Sequence, residues 1–262
     1  MATPTRRIIL IISFLLIGIV LWGLQRALTP RDYQAQKAII FPSGELRVGV
    51  DVSFPPFAWD DNGEFKGVDI DLARAMGAKM GLNVRFVSVG YDGLYDALFG
   101  DKIDVLISAM VVNPARMDKV IFTRSYFNTG LMLISPSDAP LTKANELSSK
   151  SLAIEFGSDA DALARRWTAQ KINLQTHPYE LAQYALDAVR LGQADVALVD
   201  ALTYRLYQRE HPRWQPTTMY QTETLFAVAV RIDRPSISEW ADSILLEMIN
   251  NGELEQILKK WL

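Results

Sequence analysis

The chain contains no cysteine. That excludes disulfides, thiolate zinc sites, cysteine nucleophiles and a lipid-anchored N-terminal cysteine. Its two histidines, His177 and His211, stand far apart in the sequence, so no histidine-based metal centre is expected, and no cofactor either. Biased tracts are missing as well: 15 glycines and 12 prolines in 262 residues are ordinary usage. A disordered tail, a collagen-like fibre and a coiled coil are thereby set aside.

Formal net charge is only −3, but it is unevenly spread. Residues 1–44 carry Arg6, Arg7, Arg26, Arg31 and Lys37 against Asp32, while residues 45–262 hold 22 basic and 29 acidic groups. An acidic body repels phosphate backbones, so nucleic acid is not an expected partner.

Ile8 to Leu24 is a run of 17 uncharged residues behind Arg6 and Arg7. As a helix it would extend ~26 Å, slightly short of a ~30 Å hydrocarbon core, with Trp22 at interfacial depth. A cleaved signal peptide usually has a shorter apolar core and a small-residue cleavage triplet; here Gln25-Arg26-Ala27-Leu28 follows. The pattern predicts an N-terminal signal-anchor or transmembrane helix over 1–25, with cleavage as the alternative, and a linker over 26–44. Both readings put the body outside the cytoplasm.

From Glu45 onward strand and helix patterns alternate, predicting an α/β architecture with mainly parallel sheets. Strands are expected at 46–52, 84–89, 105–109, 130–135, 151–156, 196–199 and 225–231. Helices are expected after Asp61-Asn62-Gly63 (with Leu72, Met76 and Met80 on one face), over 91–99, from Ser158 through Trp167, along Leu181, Ala185, Ala188 and Val189, and from Ile237 to Leu262.

Ser108-Ala109-Met110-Val111-Val112-Asn113-Pro114-Ala115-Arg116 reads as a strand end, a loop, and Asn-Pro opening a helix. Arg116 in a first turn opposes the helix dipole by a few tenths to about one kcal/mol, which makes sense if an anion docks there. A plain surface ion pair is the other reading. Phe156-Gly157-Ser158-Asp159 is a second strand-to-helix turn. Asp51 and Asp200 follow apolar strands, where open α/β sheets place ligands, although such positions also serve as helix caps. Phe54-Pro55-Pro56-Phe57 sets two rings near Asp51, as core or as a stacking platform worth ~0.5–2 kcal/mol on a cation. Asp51, Glu155 and Asp159 would alternatively suit an acid/base set; no metal-site spacing accompanies them.

Leu46–Phe57, Gly67–Ala75, Tyr91-Asp92-Gly93-Leu94, Asp104–Arg116 and Ala194–Asp200, in that order, resemble the bacterial extracellular solute-binding proteins of family 3, the polar amino-acid receptors of ABC importers. The resemblance implies a two-lobed, type II periplasmic-binding-protein-like fold with a ligand cleft between lobes. One lobe would be 45–128 plus 226–262 and the other 129–225. It assigns a ligand carboxylate to Arg116 and the amides around Ala109–Val111 beside Ser108, and an ammonium to Asp200. Phe54 and Tyr91 would cover the ligand, Asp51 would meet its side chain, and the Glu155, Gly157, Ser158 and Asp159 turn would add contacts.

Two positions depart from the family pattern. Val111 replaces a hydroxyl donor, costing ~0.5–3 kcal/mol, and Asp159 replaces a small or hydroxyl residue. Four carboxylates against Arg116 point to a cationic ligand such as arginine, lysine, ornithine or a related amine. The implied partners are that small molecule and a membrane permease, with the receptor itself a monomer and not an enzyme. The same fold serves cyclohexadienyl dehydratases, but Thr129-Gly130-Leu131-Met132 and Leu225-Phe226 lack their basic residue and acid. A sensory role would need a separate output partner.

Overall fold

The computed structural model describes residues 36–262. The apolar run at 8–24, the anchor expected from it and most of the expected linker lie outside the described residues. Among the described residues no helix is long and apolar enough to cross a membrane. Residues 36–40 form a short helix in the leading segment, and Arg47–Leu262 is a unit of its own.

Two five-stranded sheets organise that unit. The first runs β5-β1-β6-β13-β7, from β1 (Glu45–Val50), β5 (Asn83–Ser88), β6 (Val105–Leu106), β7 (Val120–Asn128) and β13 (Leu225–Arg231). The second runs β10-β9-β11-β8-β12, from β8 (Leu131–Ser135), β9 (Ser151–Glu155), β10 (Gln175–Tyr179), β11 (Val196–Asp200) and β12 (Thr217–Tyr220). A small sheet of β2 (Ser53–Phe54), β3 (Ala58–Asp61) and β4 (Glu64–Lys66) accompanies the first. Its β3–β4 turn is made by Asn62 and Gly63, both at positive φ, the backbone that Asn-Gly hairpin turns require.

The sheets are mixed, not mainly parallel. β1 pairs parallel with β6, with Val48 opposite Val105, and β9 pairs parallel with β10 and β11. In contrast, β13 is antiparallel to β6 and β7, and β8 is antiparallel to β11 and β12. The reason is the double crossing between lobes. The chain leaves the first sheet at the end of β7 and re-enters it at the start of β13, so these two strands run in opposite directions.

Side-chain and main-chain hydrogen bonds lace the crossings together. Asn128 Oδ1 accepts the amides of Gly130 (2.9 Å) and Thr224 (3.0 Å), and Thr222 Oγ1 accepts that of Leu131 (2.8 Å). The Thr129 amide donates to the Thr224 carbonyl at 2.9 Å. A Cβ on Gly130 would overlap the Thr222 carbonyl, so only glycine lets the two segments pass this closely.

Helices cover both faces of the second sheet. α3 (Asp159–Ala169) packs Ala160, Ala164 and Trp167 against Leu131, Leu133, Leu152 and Ile154. On the other face, α4 (Ala182–Arg190) and α5 (Ala201–Glu210) cover Met132, Ile134, Ala153 and Val199. Successive residues of β8 thus enter opposite cores, which makes the strand a continuous apolar run. Around the first sheet stand α1 (Val68–Met80), α2 (Leu94–Phe99), α6 (Pro235–Asn250) and α7 (Glu253–Trp261).

Three expected elements change. The 237–262 helix is two helices, broken where Gly252 takes φ +80°. The strand expected over 105–109 ends at Leu106, and Ala109 turns into the left-handed region at φ +47°. After Asn113 there is no α-helix but a single 3₁₀ turn, Pro114–Arg116. Asn113 Oδ1 accepts the Ala115 amide at 3.0 Å, so the capping signal is obeyed while the helix does not continue.

Candidate functional site

One concavity, of about 470 Å³, lies on the first lobe and is lined by Tyr91, Asp92, Tyr95, Val111, Val112, Asn113, Pro114 and Arg116. Its floor is shaped by the loop after β6. The Ala109 amide points inward, donating to Asp69 Oδ2 at 2.9 Å and to the Tyr126 hydroxyl at 3.0 Å. Next, Met110 offers its carbonyl to the Ala227 amide (3.0 Å), and the Val112 amide donates to the Leu225 carbonyl (2.9 Å). This antiparallel bridge sets Val111 opposite Phe226. In such a pairing the flanking residues make the hydrogen bonds, and the Val111 amide faces away from β13.

Because Arg116 sits on a three-residue turn, no helix dipole acts on it and the predicted electrostatic cost disappears. Its guanidinium instead lies over the Tyr95 ring, 4.6 Å from the centroid, a cation–π arrangement that holds the charge at the rim.

Asp51 is a hub beside this concavity. Its Oδ1 accepts from the amide and hydroxyl of Ser53 (2.9 and 2.7 Å), and Oδ2 accepts the Tyr91 amide at 2.9 Å. The Asp51 amide in turn donates to Ser108 Oγ at 2.9 Å. Ser108 and Ala109 are buried, so they shape the loop from behind, with the Ala109 amide engaged by Asp69 and Tyr126. Of the two rings after Asp51, only Phe54 is exposed. It stacks on Phe57 at 5.6 Å, and Phe57 is wholly buried against Phe127 and Phe226.

The second concavity, about 410 Å³, belongs to the other lobe and is lined among others by Glu155, Ser158, Asp159, Arg166, Asp200 and Thr222. Ser158 caps α3: its Oγ accepts the Asp161 amide (3.3 Å) and donates to the Glu155 carbonyl (2.8 Å). Gly157, at φ +75°, donates its amide to Asp161 Oδ2 at 3.0 Å. Arg165 pairs with the same carboxylate and, with that amide, holds Asp161 below the usual carboxylate range. Gly157 therefore shapes the turn and does not line the concavity. Asp200 caps α5, with Oδ1 accepting the Thr203 amide (2.8 Å) and Oδ2 the Thr203 hydroxyl (2.6 Å).

The structure thus gathers Tyr91, Val111 and Arg116 on one lobe and Glu155, Ser158, Asp159 and Asp200 on the other, and Arg116 and Asp200 line separate concavities. Sequence reasoning missed Arg166, which lies on the same face of α3 as Asp159 and Ala162. The i, i+3, i+7 spacing on a helix would have found it. It also missed Tyr95 beneath Arg116, and the buried Asp69–Tyr126 pair. Among the described residues no group of three or more His, Cys, Asp or Glu side chains is arranged to hold a metal ion.

This chain belongs to the bacterial extracellular solute-binding proteins, family 3, whose family model matches residues 46–262. It is 27% identical over 229 residues to ABC transporter arginine-binding protein 1 of Escherichia coli K12, spanning 83% of this chain and 90% of that one. It is 23% identical over 220 residues to the arginine-binding extracellular protein ArtP of Bacillus subtilis 168, spanning 83% and 86%. Among solved structures, an ancestral cationic amino acid solute binding protein aligns at 27% identity and TM-score 0.60, over 86% of this chain and 99% of that one. The L-cystine solute receptor of Neisseria gonorrhoeae, in its unliganded open conformation, aligns at TM-score 0.70 and 18% identity, over 83% and 92%; that likeness speaks to the two-lobed fold alone.

Proposed function

We propose that this protein is the substrate-binding component of an ABC importer and takes a cationic amino acid or related amine between its lobes, 45–128 plus 226–262 and 129–225. The observation that carries the reading is the split of charge between the two concavities. Arg116, with the outward Val111 amide, offers one lobe's site for a carboxylate. Asp200, with Glu155 and Asp159, offers the other lobe's site for cationic groups. A dipolar molecule satisfies both only when the lobes come together, so binding favours the closed population.

Ligand charge follows from the balance of fixed charges. Asp92 lines the first concavity and Asp51 lies beside it, while Glu155, Asp159 and Asp200 line the second. Against these five carboxylates stand Arg116 and Arg166, and a desolvated site with surplus negative charge selects a ligand with surplus positive charge. Phe54 and Tyr91 supply flat, exposed faces for an aliphatic or guanidinium portion. The arginine-binding relatives support the same class. No bond is made or broken in this reading: the receptor acts outside the cytoplasm, as a monomer, and presents solute to a permease. Calorimetric titration with an amino-acid panel tests it. Binding of arginine, lysine or ornithine is expected, and tight binding of glutamate with none of arginine would overturn it.

A further inference from the structure

Asp69 lies at 1% exposure at the start of α1, and its partners are a tyrosine hydroxyl and a backbone amide. A carboxylate in that position is costly unless its oxygens are engaged by strong donors. Both are: Oδ1 takes the Tyr126 hydroxyl at 2.7 Å and Oδ2 takes the Ala109 amide at 2.9 Å, while the Tyr126 oxygen lies 3.0 Å from that same amide. The three groups close a small ring inside the first lobe, drawn from α1, β7 and the loop after β6.

Ala109 is where that loop does something unusual. Its φ of +47° is a conformation that an alanine adopts at a cost of order 1 kcal/mol. The course of the chain from Met110 to Arg116 depends on this turn. It delivers Met110 and Val112 to β13, leaves Val111 facing outward, and starts the path to the Arg116 turn. With a β-region Ala109 the amide would lose both acceptors, and Val111 would no longer lie opposite Phe226.

We infer that Asp69 and Tyr126 are positioning residues of the solute site, clamping Ala109 in its left-handed turn so that the Val111 amide and Arg116 converge on a ligand carboxylate. The inference rests on the reading of that loop as the carboxylate site. Neither side chain touches the ligand; both act through Ala109.

The test uses Tyr126→Phe, which keeps the ring and removes the hydroxyl, Asp69→Asn, and Leu245→Ala as a control. Leu245 is a fully buried residue of α6, and its truncation costs stability without touching the loop. L-Arginine affinity is measured by calorimetry, and amide hydrogen exchange is followed at residues 109–112 in the ligand-free proteins. Expected is a loss of about tenfold or more in arginine affinity for Tyr126→Phe and Asp69→Asn, with at least tenfold faster exchange at Ala109, while Leu245→Ala binds within twofold of the parent. If all three variants lose affinity in step with their stability, or if Tyr126→Phe binds and exchanges like the parent, the clamp is wrong. Should the parent itself not bind arginine, the ligand class proposed above fails. Exchange at residues 109–112 still decides the clamp: faster exchange in Tyr126→Phe supports it, and unchanged exchange overturns it.

Discussion

Asp200 and Thr203 are joined twice, through the Thr203 amide to Oδ1 at 2.8 Å and through the Thr203 hydroxyl to Oδ2 at 2.6 Å. One carboxylate therefore has two tasks: it caps α5 and it presents negative charge to the second concavity. The tasks separate by substitution. Asp200→Asn keeps an acceptor oxygen, so stability should fall by less than about 0.5 kcal/mol, because Asn caps as well as Asp. Removing the charge should nevertheless weaken arginine binding at least tenfold, as loss of a charge-assisted contact in a desolvated site does. Asp200→Ala should lose binding and also about 1 kcal/mol of stability. Urea denaturation and calorimetry on both variants check this; an Asn variant that binds like the parent would remove Asp200 from the site.

The interlobe crossings give a second prediction. Asn128 Oδ1 serves one amide from each crossing, so Asn128→Ala leaves two half-buried donors without that acceptor and should cost about 1–3 kcal/mol. Gly130→Ala should cost at least as much, since its Cβ meets the Thr222 carbonyl rather than a yielding side chain. Unchanged denaturation midpoints in both variants would show that the crossings adjust freely.

Burial pushes Asp69 up to about 7, against the hydrogen bonds from Tyr126 and Ala109 that pull it down. The unfolded chain ionises this group near pH 4. Between about pH 4 and 7 the folded protein therefore holds a proton that the unfolded one has released. Stability from this group is then fully present below pH 4, declines as pH rises through 7, and is flat beyond, with a slope of at most about 1.4 kcal/mol per pH unit. Asp161, Asp187 and Asp195, held below the usual range by their donors, lose their contribution only under more acidic conditions. In denaturation series from about pH 5 to 7, the difference in stability between the parent and Asp69→Asn should shrink steadily. Parallel curves would refute the shift.

Much of this was legible in the residues, and the misses have physical causes. β11 and β13 were clear because both of their faces are covered, so the strands are apolar without interruption. β7 was not, since it leaves the sheet toward the crossing and carries Arg124 and Asn128, the first paired with Asp242 and the second bonded across the crossings. Asn113-Pro114 signals a helix start, but a cap reports only the first turn, and nothing local states whether a second will come after it. Arg116 stands out as a cation just after the Asn113-Pro114 cap, and Asp200 as a charge at a strand end. Tyr95 does not, because an aromatic four residues after Tyr91 reads equally well as core. Nothing local marks Asp69 as buried, because its contact with Tyr126 joins residues 57 positions apart.

Val111 offers a gain of function. It is 37% exposed on the first concavity, beside Arg116. Val111→Thr keeps the β-branched shape and so preserves the bridge to Phe226, while adding a donor beside the outward amide. A new hydrogen bond to a ligand carboxylate contributes about 0.5–1.5 kcal/mol net, or two- to tenfold in affinity. L-Arginine should therefore bind more tightly to the threonine variant, and Val111→Ala, which lacks the hydroxyl, should show no such gain. Calorimetry on the pair decides it. Equal affinity in the threonine variant and the parent would mean that the carboxylate does not approach this edge of the loop, and Arg116 would then have to hold it from the Tyr95 side alone.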